Sequence, residues 1–571
     1  MLSQLSRPYA RTAGRLLTTS SPAARGETGK VFSMTKMTCT LGPASADGEV
    51  IQQLSDVGMS IARLNFSHVP AGDYSFPEGI IAEVRKCKGM HSRVLGRDYN
   101  MLGVMLDTKG PEIRTGIVEG YTPGEKNLYV ELETDAEVVV TTDRRLKDKV
   151  SSSTLYLDYE EIGTTVVPGS TILLDDGLIG LEVNSISEQK FYPITDPDSP
   201  TDDGSGEYVE VKCTVQNGGK LGSVKGVNIP NVTLQLPSMT EKDKADMEWG
   251  VRSNEIDIVA ASFVRKGGDV RSVKAHLERC IQKAKVDGIL PRDVVRPWVV
   301  SKIENHEGIL NFRDILAESD GIMVARGDLG VEVPFEELLI LQKEMVRECN
   351  LAGKPVIVAT QMLDSMQHNP RPTRAEVTDV GNAVLDGADC TMLSGESANG
   401  KFPALAANTM NTIIQHADDA LDMKKGYSNI GARRQELSLR ISENASSLES
   451  VCASAVQMAS QTASDLIIAI SRKGATVKCL AKYRPNVPIV AFVPTAQIGR
   501  RMVLHRSVYP IVMEKTASDN EHERVVEALR TAKEINWLKP GHRVVVVDAE
   551  MWDLETTATK TKANCIKIFS V

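Results

Sequence analysis

In WVVSKIEN, Lys302 and Glu304 stand two residues apart, which on a continuing strand puts an ammonium and a carboxylate on the same side. The next run of this kind, IMVARGDLG, ends on the glycine-flanked Asp328. Two carboxylates from adjacent strand ends can bind magnesium through oxygen and leave positions for substrate oxygens and water. Lys302 then offers a point positive charge where phosphoryl or enolate charge develops. The backbone at Arg326, Gly327 and Asp328 can present N–H groups to a substrate carboxylate at a helix start. Singly, each motif has an ordinary reading: Lys-x-Glu as a rim salt bridge, R-G-D-L-G as a turn with a helix cap. Their joint occurrence at successive strand ends favours chemistry.

Asn65, Ser67, Asp107 and Thr108 add hard oxygen donors of the kind a second, monovalent cation takes. Read alone, N-F-S is a turn and D-T a helix cap. Arg63 and Arg114 can each fork onto phosphate oxygens, or serve in structural ion pairs. Thr360 closes VIVAT, where its hydroxyl can bond a substrate, relay a proton or cap a helix. His68 has no evident partner.

The elements that must position these groups are short apolar runs: MTCTLGP, IARLNFS, GVMLDTKG, IDIVAASF, WVVSKIEN, IMVARGDLG, VIVATQML and CTMLSGES. Continuous Val/Ile/Leu runs separated by helix-length spacers point to buried parallel strands in an α/β, (β/α)8 TIM barrel. Such barrels carry their chemistry at the carboxyl ends of the strands. After the third run, residues 116–237 change character, with short strand-like pieces and turn signals such as Asp176-Gly177. This predicts an inserted β-barrel domain, placed to act as a lid over the strand ends. Past the eighth unit, LIIAIS, IVAFV, VYPIVM, RVVVVDA and CIKIFSV predict an open α/β domain at the carboxyl end. The predicted division is an extension over 1–34, a barrel over 35–115 and 238–405, a lid over 116–237 and the last domain over 406–571.

Composition narrows the class. The 571 residues are 42% hydrophobic and 25% charged, with a net charge of −9. No basic stripe offsets that charge, which argues against a general nucleic-acid binder. No apolar stretch reaches membrane-spanning length. The cysteines are dispersed without a C-x-x-C pair, which disfavours zinc ribbons and disulfide frameworks and fits a reducing compartment. MLSQLSRPYARTAGRLLTTSSPAARG is rich in Arg, Ser and Thr and free of acids, the composition of a transit segment. The expectation is mitochondrial, with a plastid address or a plain cytoplasmic extension as alternatives.

The motifs TKMTCTLGPAS, ARLNFSH, LDTKGPEIRTG, NGGKLGSVKGVNIP, VAASFVRKGGDV, SKIEN, IMVARGDLGVEVP, ATQMLDSM, PTRAEVTDVGNAVLDGADCTMLSGESANGKFP and KYRP follow in one order from about residue 35 to 485. On these residues the chain resembles pyruvate kinase. The resemblance implies a barrel, a β-rich lid and an α/β carboxyl-terminal domain, in a homotetramer. It implies transfer of the phosphoryl group of phosphoenolpyruvate to ADP, giving pyruvate and ATP in the last step of glycolysis, with Mg2+ and K+ as cofactors. It implies that Glu304 and Asp328 hold magnesium, that Lys302, Arg63 and Thr360 are catalytic, and that Lys302, Gly327, Asp328 and Thr360 contact substrate. Asn65, Ser67, Asp107 and the carbonyl of Thr108 would hold potassium, and Arg63, Asn65, His68, Arg114 and Lys225 would face nucleotide or phosphate. Glu112 is the variant that accompanies potassium dependence in that family.

There are departures. Val69-Pro70 replaces the usual glycine after NFSH, and the acidic hairpin at 195–207 is longer than the family norm. The family's effector loop here reads ISRKGAT, with Ser471, Arg472, Lys473, Gly474 and Thr476 still able to receive an anion. Its companion loop, MWDLETTATKTKANC, has no glycine, which weakens the expectation of activation by fructose bisphosphate and puts another anionic effector, or none, at least level with it. Two other classes compete: a metal-dependent aldolase or phosphonomutase on the same barrel, and a non-catalytic scaffold. The first has no need of Arg63, Arg114 and a lid together; the second is expected to have lost one of Lys302, Glu304 or Asp328.

Overall fold

The computed structural model describes residues 33–88, 100–122, 128–191, 206–422, 447–513, 520–548 and 565–571. The transit-like segment lies outside these residues, as do most of the acidic hairpin at 195–207 and all of MWDLETTATKTKANC except Cys565.

The eight apolar runs form eight strands: β1 (Lys36–Leu41), β2 (Met59–Asn65), β3 (Gly103–Asp107), β4 (Ile258–Ala261), β5 (Trp298–Ile303), β6 (Gly321–Ala325), β7 (Val356–Ala359) and β8 (Cys390–Leu393). Each pairs in parallel with its neighbours, and β8 returns to β1 to close the barrel. Strand parity explains why every run is apolar throughout. Ile61, Met105, Ile258, Ala260, Val300, Met323 and Ile357 pack together on one side, while Val104, Val259, Val299, Val324 and Val358 alternate with them and pack towards the helices.

The inserted segment is a seven-stranded curled sheet, running in spatial order from Ile113–Arg114 through Gly226–Asn228, Thr171–Leu174, Ile179–Ile186, Glu210–Asn217 and Glu137–Thr141 to Thr154–Tyr156. Its two edges meet through a Thr115–Leu157 bridge and a bond from Gly116 N–H to the Tyr156 carbonyl at 2.9 Å. That closure is what a small barrel needs to hide its edge strands. The insert stands against the barrel rim. Asn228 Nδ2 donates to Glu332 Oε1 at 2.8 Å, and a Cβ placed on Gly177 would lie 3.3 Å from Val331.

At the carboxyl end, β9 (Leu466–Ile470), β10 (Ile489–Val493), β11 (Val508–Val512), β12 (Arg543–Asp548) and β13 (Cys565–Ser570) make one sheet in the order β11-β10-β9-β12-β13. Only β13 runs antiparallel to its neighbour. This domain shares a core with the barrel base, where Trp298 and Leu351 pack with Val477 and Leu480. Among the described residues no helix is long and apolar enough to cross a membrane.

Candidate active site

The inward register that is apolar at the barrel base turns polar near the carboxyl mouth. Two positions beyond Ile61 comes Arg63, beyond Met105 comes Asp107, beyond Ala260 comes Ser262, and beyond Val300 come Lys302 and Glu304. The pleat therefore places all five on the same inner face.

They form one buried chain of contacts. Arg63 Nε donates to Asp107 Oδ2 at 2.6 Å, and its Nη1 donates to Thr40 Oγ1 at 2.8 Å. Asp107 Oδ1 lies 3.1 Å from Lys302 Nζ, which in turn lies 2.8 Å from Glu304 Oε1. Ser262 ties the chain together: its hydroxyl accepts from Lys302 Nζ at 2.8 Å and reaches the Thr108 carbonyl at 2.7 Å and Asp107 Oδ1 at 3.2 Å. Phe263 N–H donates to Glu304 Oε2 at 2.6 Å, with Phe263 held at φ +53°. A bulky residue in that left-handed region is strained, a feature common at functional sites.

The charges follow from burial and proximity. Burial raises the Asp107 carboxyl, but Arg63 and Lys302 outweigh it and hold the group below the usual carboxylate range. Burial disfavours the Lys302 cation, yet Asp107 and Glu304 outweigh that and keep it firmly protonated. Burial pushes Glu304 up to about 7, opposed by Lys302 and reinforced by Asp328. Asp328 is raised as well, by burial and then by Asp176 and Glu112 against the pull of Lys302. Burial is thus the main reason both carboxyls sit high, and Lys302 is the strongest charge acting against it.

A cleft of about 260 Å³ separates the barrel mouth from the insert. Asp328 and Phe263 line it from the barrel, and Glu112, Arg114, Asp176 and Lys225 from the insert. Phe263, bonded to Glu304, links this cleft to the buried chain. Arg114 Nε donates to Glu112 Oε2 at 2.8 Å, and Lys225 Nζ pairs with Asp175 Oδ1 at 2.9 Å.

On β6 and β7, a seven-residue helix (Arg326–Glu332) follows the strand at once. Arg326 donates to the carbonyls of Ala359 at 3.1 Å and Thr360 at 2.7 Å, and to Asp379 Oδ1 at 2.8 Å. Those bonds hold Thr360 at φ +74° and Gln361 at φ +54°. A Cβ on Gly327 would fall 2.8 Å from Thr360 Cγ2, so only glycine lets the two strand ends approach this closely.

The ordinary readings fare unevenly. Lys302–Glu304 is an ion pair, but a buried one rather than a rim bridge. Thr360 begins no helix, and neither does Asp107-Thr108, so both cap readings fail. Asn65 does act as a cap, accepting from Ser67 N–H at 3.1 Å, while His68 lies exposed and outside the chain of contacts. Asn65 and Asp107 are register partners on β2 and β3, so the four oxygen donors predicted for a monovalent cation come from adjacent strand ends. Ser471, Arg472, Lys473, Gly474 and Thr476 belong to a different domain, where Ser471 Oγ accepts from Gly474 N–H at 3.0 Å. Ser262 and Phe263 stood inside a quoted motif without a role. Parity from Ile258 and Ala260 was the signal for Ser262; nothing in sequence announced the turn at Phe263.

The residues fit a divalent ion. Glu304 Oε1 is buried and meets the Lys302 ammonium at 2.8 Å outside good hydrogen-bond geometry, which leaves it a lone pair to give. Among the described residues no three His, Cys, Asp or Glu side chains form a complete cage. Two carboxylates with open positions are the kind of site at which magnesium keeps waters and substrate oxygens.

Comparison with known proteins agrees with this geometry. The family described as pyruvate kinase, barrel domain matches residues 32–197 and 201–407, and that described as pyruvate kinase, alpha/beta domain matches 449–569. A cytosolic pyruvate kinase isozyme of Glycine max is 40% identical over 531 residues, covering 90% of this chain and 93% of the relative. A pyruvate kinase of Clostridium acetobutylicum is 37% identical over 533 residues, covering 93% and 99%. The crystal structure of a pyruvate kinase from Cryptosporidium parvum superposes with a TM-score of 0.79 at 33% identity, covering 94% of this chain and 96% of that one.

Proposed function

The chain belongs to the pyruvate kinase family and is a phosphotransferase, and we propose that it uses Mg2+ and K+ to move the phosphoryl group of phosphoenolpyruvate to ADP in glycolysis. The observation that carries the site assignment is the Lys302 ammonium, buried between Asp107, Ser262 and Glu304 at the barrel mouth. Fixed there, it needs no reorganisation to meet the charge that builds on the phosphoryl and enolate oxygens. Magnesium held by Glu304 and Asp328 would supply the Lewis-acid polarisation of those oxygens. Arg63 restrains Asp107 and is the cation next in line for phosphate, while Gly327 lets Thr360 pack close against the strand end where substrate would bind. Arg114 and Lys225 reach the cleft from the insert, and that supports a role for both towards the nucleotide phosphates. The phosphorus–oxygen bond to the enol breaks as one to ADP forms, and the enolate carbon then takes a proton, with the Thr360 hydroxyl as the proposed relay.

The test is pyruvate formation from phosphoenolpyruvate and ADP in a coupled assay. We expect turnover with magnesium, strongly stimulated by potassium in otherwise potassium-free, sodium-free buffer, as Glu112 implies. No pyruvate would end the reading; equal rates with and without potassium would remove the monovalent site alone. The homotetramer belongs to the same proposal. Phe335, Leu339 and Ile340 are exposed on and beside the helix Leu338–Ala352, an apolar face of the kind a second copy covers. A monomeric mass in solution would count against it.

A further inference from the structure

At the opposite end of the barrel from the active site, Trp298 opens β5 and is covered by cations of the carboxyl-terminal domain. Lys478 Nζ sits 4.1 Å from its ring centroid and the Arg501 guanidinium 5.7 Å, while the His505 ring meets it edge-on at 5.3 Å. Lys478 comes from the helix Ala475–Lys482, and Arg501 from the helix Ala496–Met502.

The acids nearby are already engaged. Asp320 accepts from Arg296 Nη2 at 2.9 Å and from Val299 N–H at 2.9 Å, and pairs with Lys274 at 3.4 Å. Asp257 is shared by Arg500 at 2.9 Å and Arg85 at 3.3 Å. Among the described residues, the Lys478 ammonium has no hydrogen bond or ion pair; its cation–π contact and the field of Asp320, which is already paired with two other cations, are what balance it. Arg501 Nη1 donates to the Arg296 carbonyl at 2.8 Å, yet its buried Nε has no partner. His505 is 2% exposed with neither ring nitrogen bonded. Buried polar groups are rarely left so, and three gathered around one indole call for a common acceptor.

We propose that this seam between the barrel base and the carboxyl-terminal domain is an oxyanion site, in which Lys478, Arg501 and the neutral N–H of His505 donate to a phosphate group beside Trp298. Burial, with Lys478 and Arg484 adding to it, keeps His505 down at about 3, so the imidazole is neutral and can donate one N–H. Burial lowers Lys478 to about 8, which leaves it mostly charged at pH 7. The site does not depend on the catalytic reading and is separate from the loop holding Ser471 and Lys473. Occupancy would neutralise the cations and tie the barrel to the last domain.

Tryptophan fluorescence of the full chain tests it, titrated with inorganic phosphate or with glycerol 3-phosphate against chloride at matched ionic strength. A saturable change is expected, absent from Trp298→Phe, about tenfold or more weaker in Lys478→Gln and Arg501→Gln, and kept in Lys478→Arg and Lys473→Gln. Tighter binding of the ester than of free phosphate would mark a metabolite site, and the reverse a site for the free ion. No saturable change in the unaltered chain, or one that survives intact in Lys478→Gln or Trp298→Phe, overturns the proposal. Should Lys478→Gln lose its circular dichroism, the titrations of the unaltered chain and Trp298→Phe still decide.

Discussion

Lys302→Met is expected to lower kcat by about 10³-fold or more while leaving the circular dichroism spectrum unchanged. The methionine keeps roughly the length of the side chain and removes the ammonium that touches both Asp107 and Glu304. Asp107 keeps Arg63 at 2.6 Å and the Ser262 hydroxyl at 3.2 Å, so its charge stays compensated. Glu304 loses the group that opposes its rise, moves above about 7 and takes a proton at neutral pH instead of remaining a buried anion. The structural cost is therefore that of one poorly paired polar group, about 1–3 kcal/mol, read as a modest fall in Tm. Catalysis has no such escape, because the fixed positive charge is what the developing phosphoryl and enolate oxygens meet. kcat and kcat/KM should fall together, the pattern of an interaction made in the transition state. Activity within tenfold of the unaltered enzyme, in a folded protein, would remove Lys302 from its assigned role.

The parts of this site that sequence reveals are those with a period. Val300, Lys302 and Glu304 share one face because a strand repeats every two residues, and the same count carries Ile61 to Arg63 and Met105 to Asp107. Barrel closure follows from eight apolar runs that had to be buried on both faces. What has no period was not legible. The positive φ of Phe263 and Thr360 is imposed by partners more than thirty residues away in sequence or on a neighbouring strand, Glu304 and Arg326. Strands of two and three residues, such as Ile113–Arg114 and Gly226–Asn228, are too short to show alternation, and their pairing with each other depends on the curl of the whole sheet. Trp298 beside Lys478 joins two domains across the chain; each residue alone reads as an ordinary core aromatic and an ordinary surface lysine.

Glu304→Gln separates the metal from the charge. The amide matches the carboxylate in size, but it has one oxygen where Glu304 uses two, one facing Phe263 N–H at 2.6 Å and one beside Lys302 at 2.8 Å. If the oxygen stays on Phe263, the amide nitrogen is turned towards the ammonium; if it turns to Lys302, the strained Phe263 N–H is orphaned. Either way the anionic donor is gone, and the remaining carboxylate, Asp328, must hold magnesium with neutral oxygens. We expect the magnesium concentration for half-maximal rate to rise by about 100-fold, since even groups that only orient metal ligands are worth 10–100-fold, and kcat at saturating magnesium to fall by about 10²-fold or more. Lys302→Met should show the opposite division, a collapsed kcat with magnesium dependence shifted only a few-fold, because every oxygen donor is kept and magnesium need only displace the proton that Glu304 takes up in that variant. Combining the two should cost less than the product of the single losses, since both act on one contact network. An unchanged magnesium curve in Glu304→Gln would place the ion elsewhere, and the raised Glu304 carboxyl would then mark a proton carrier instead of a ligand.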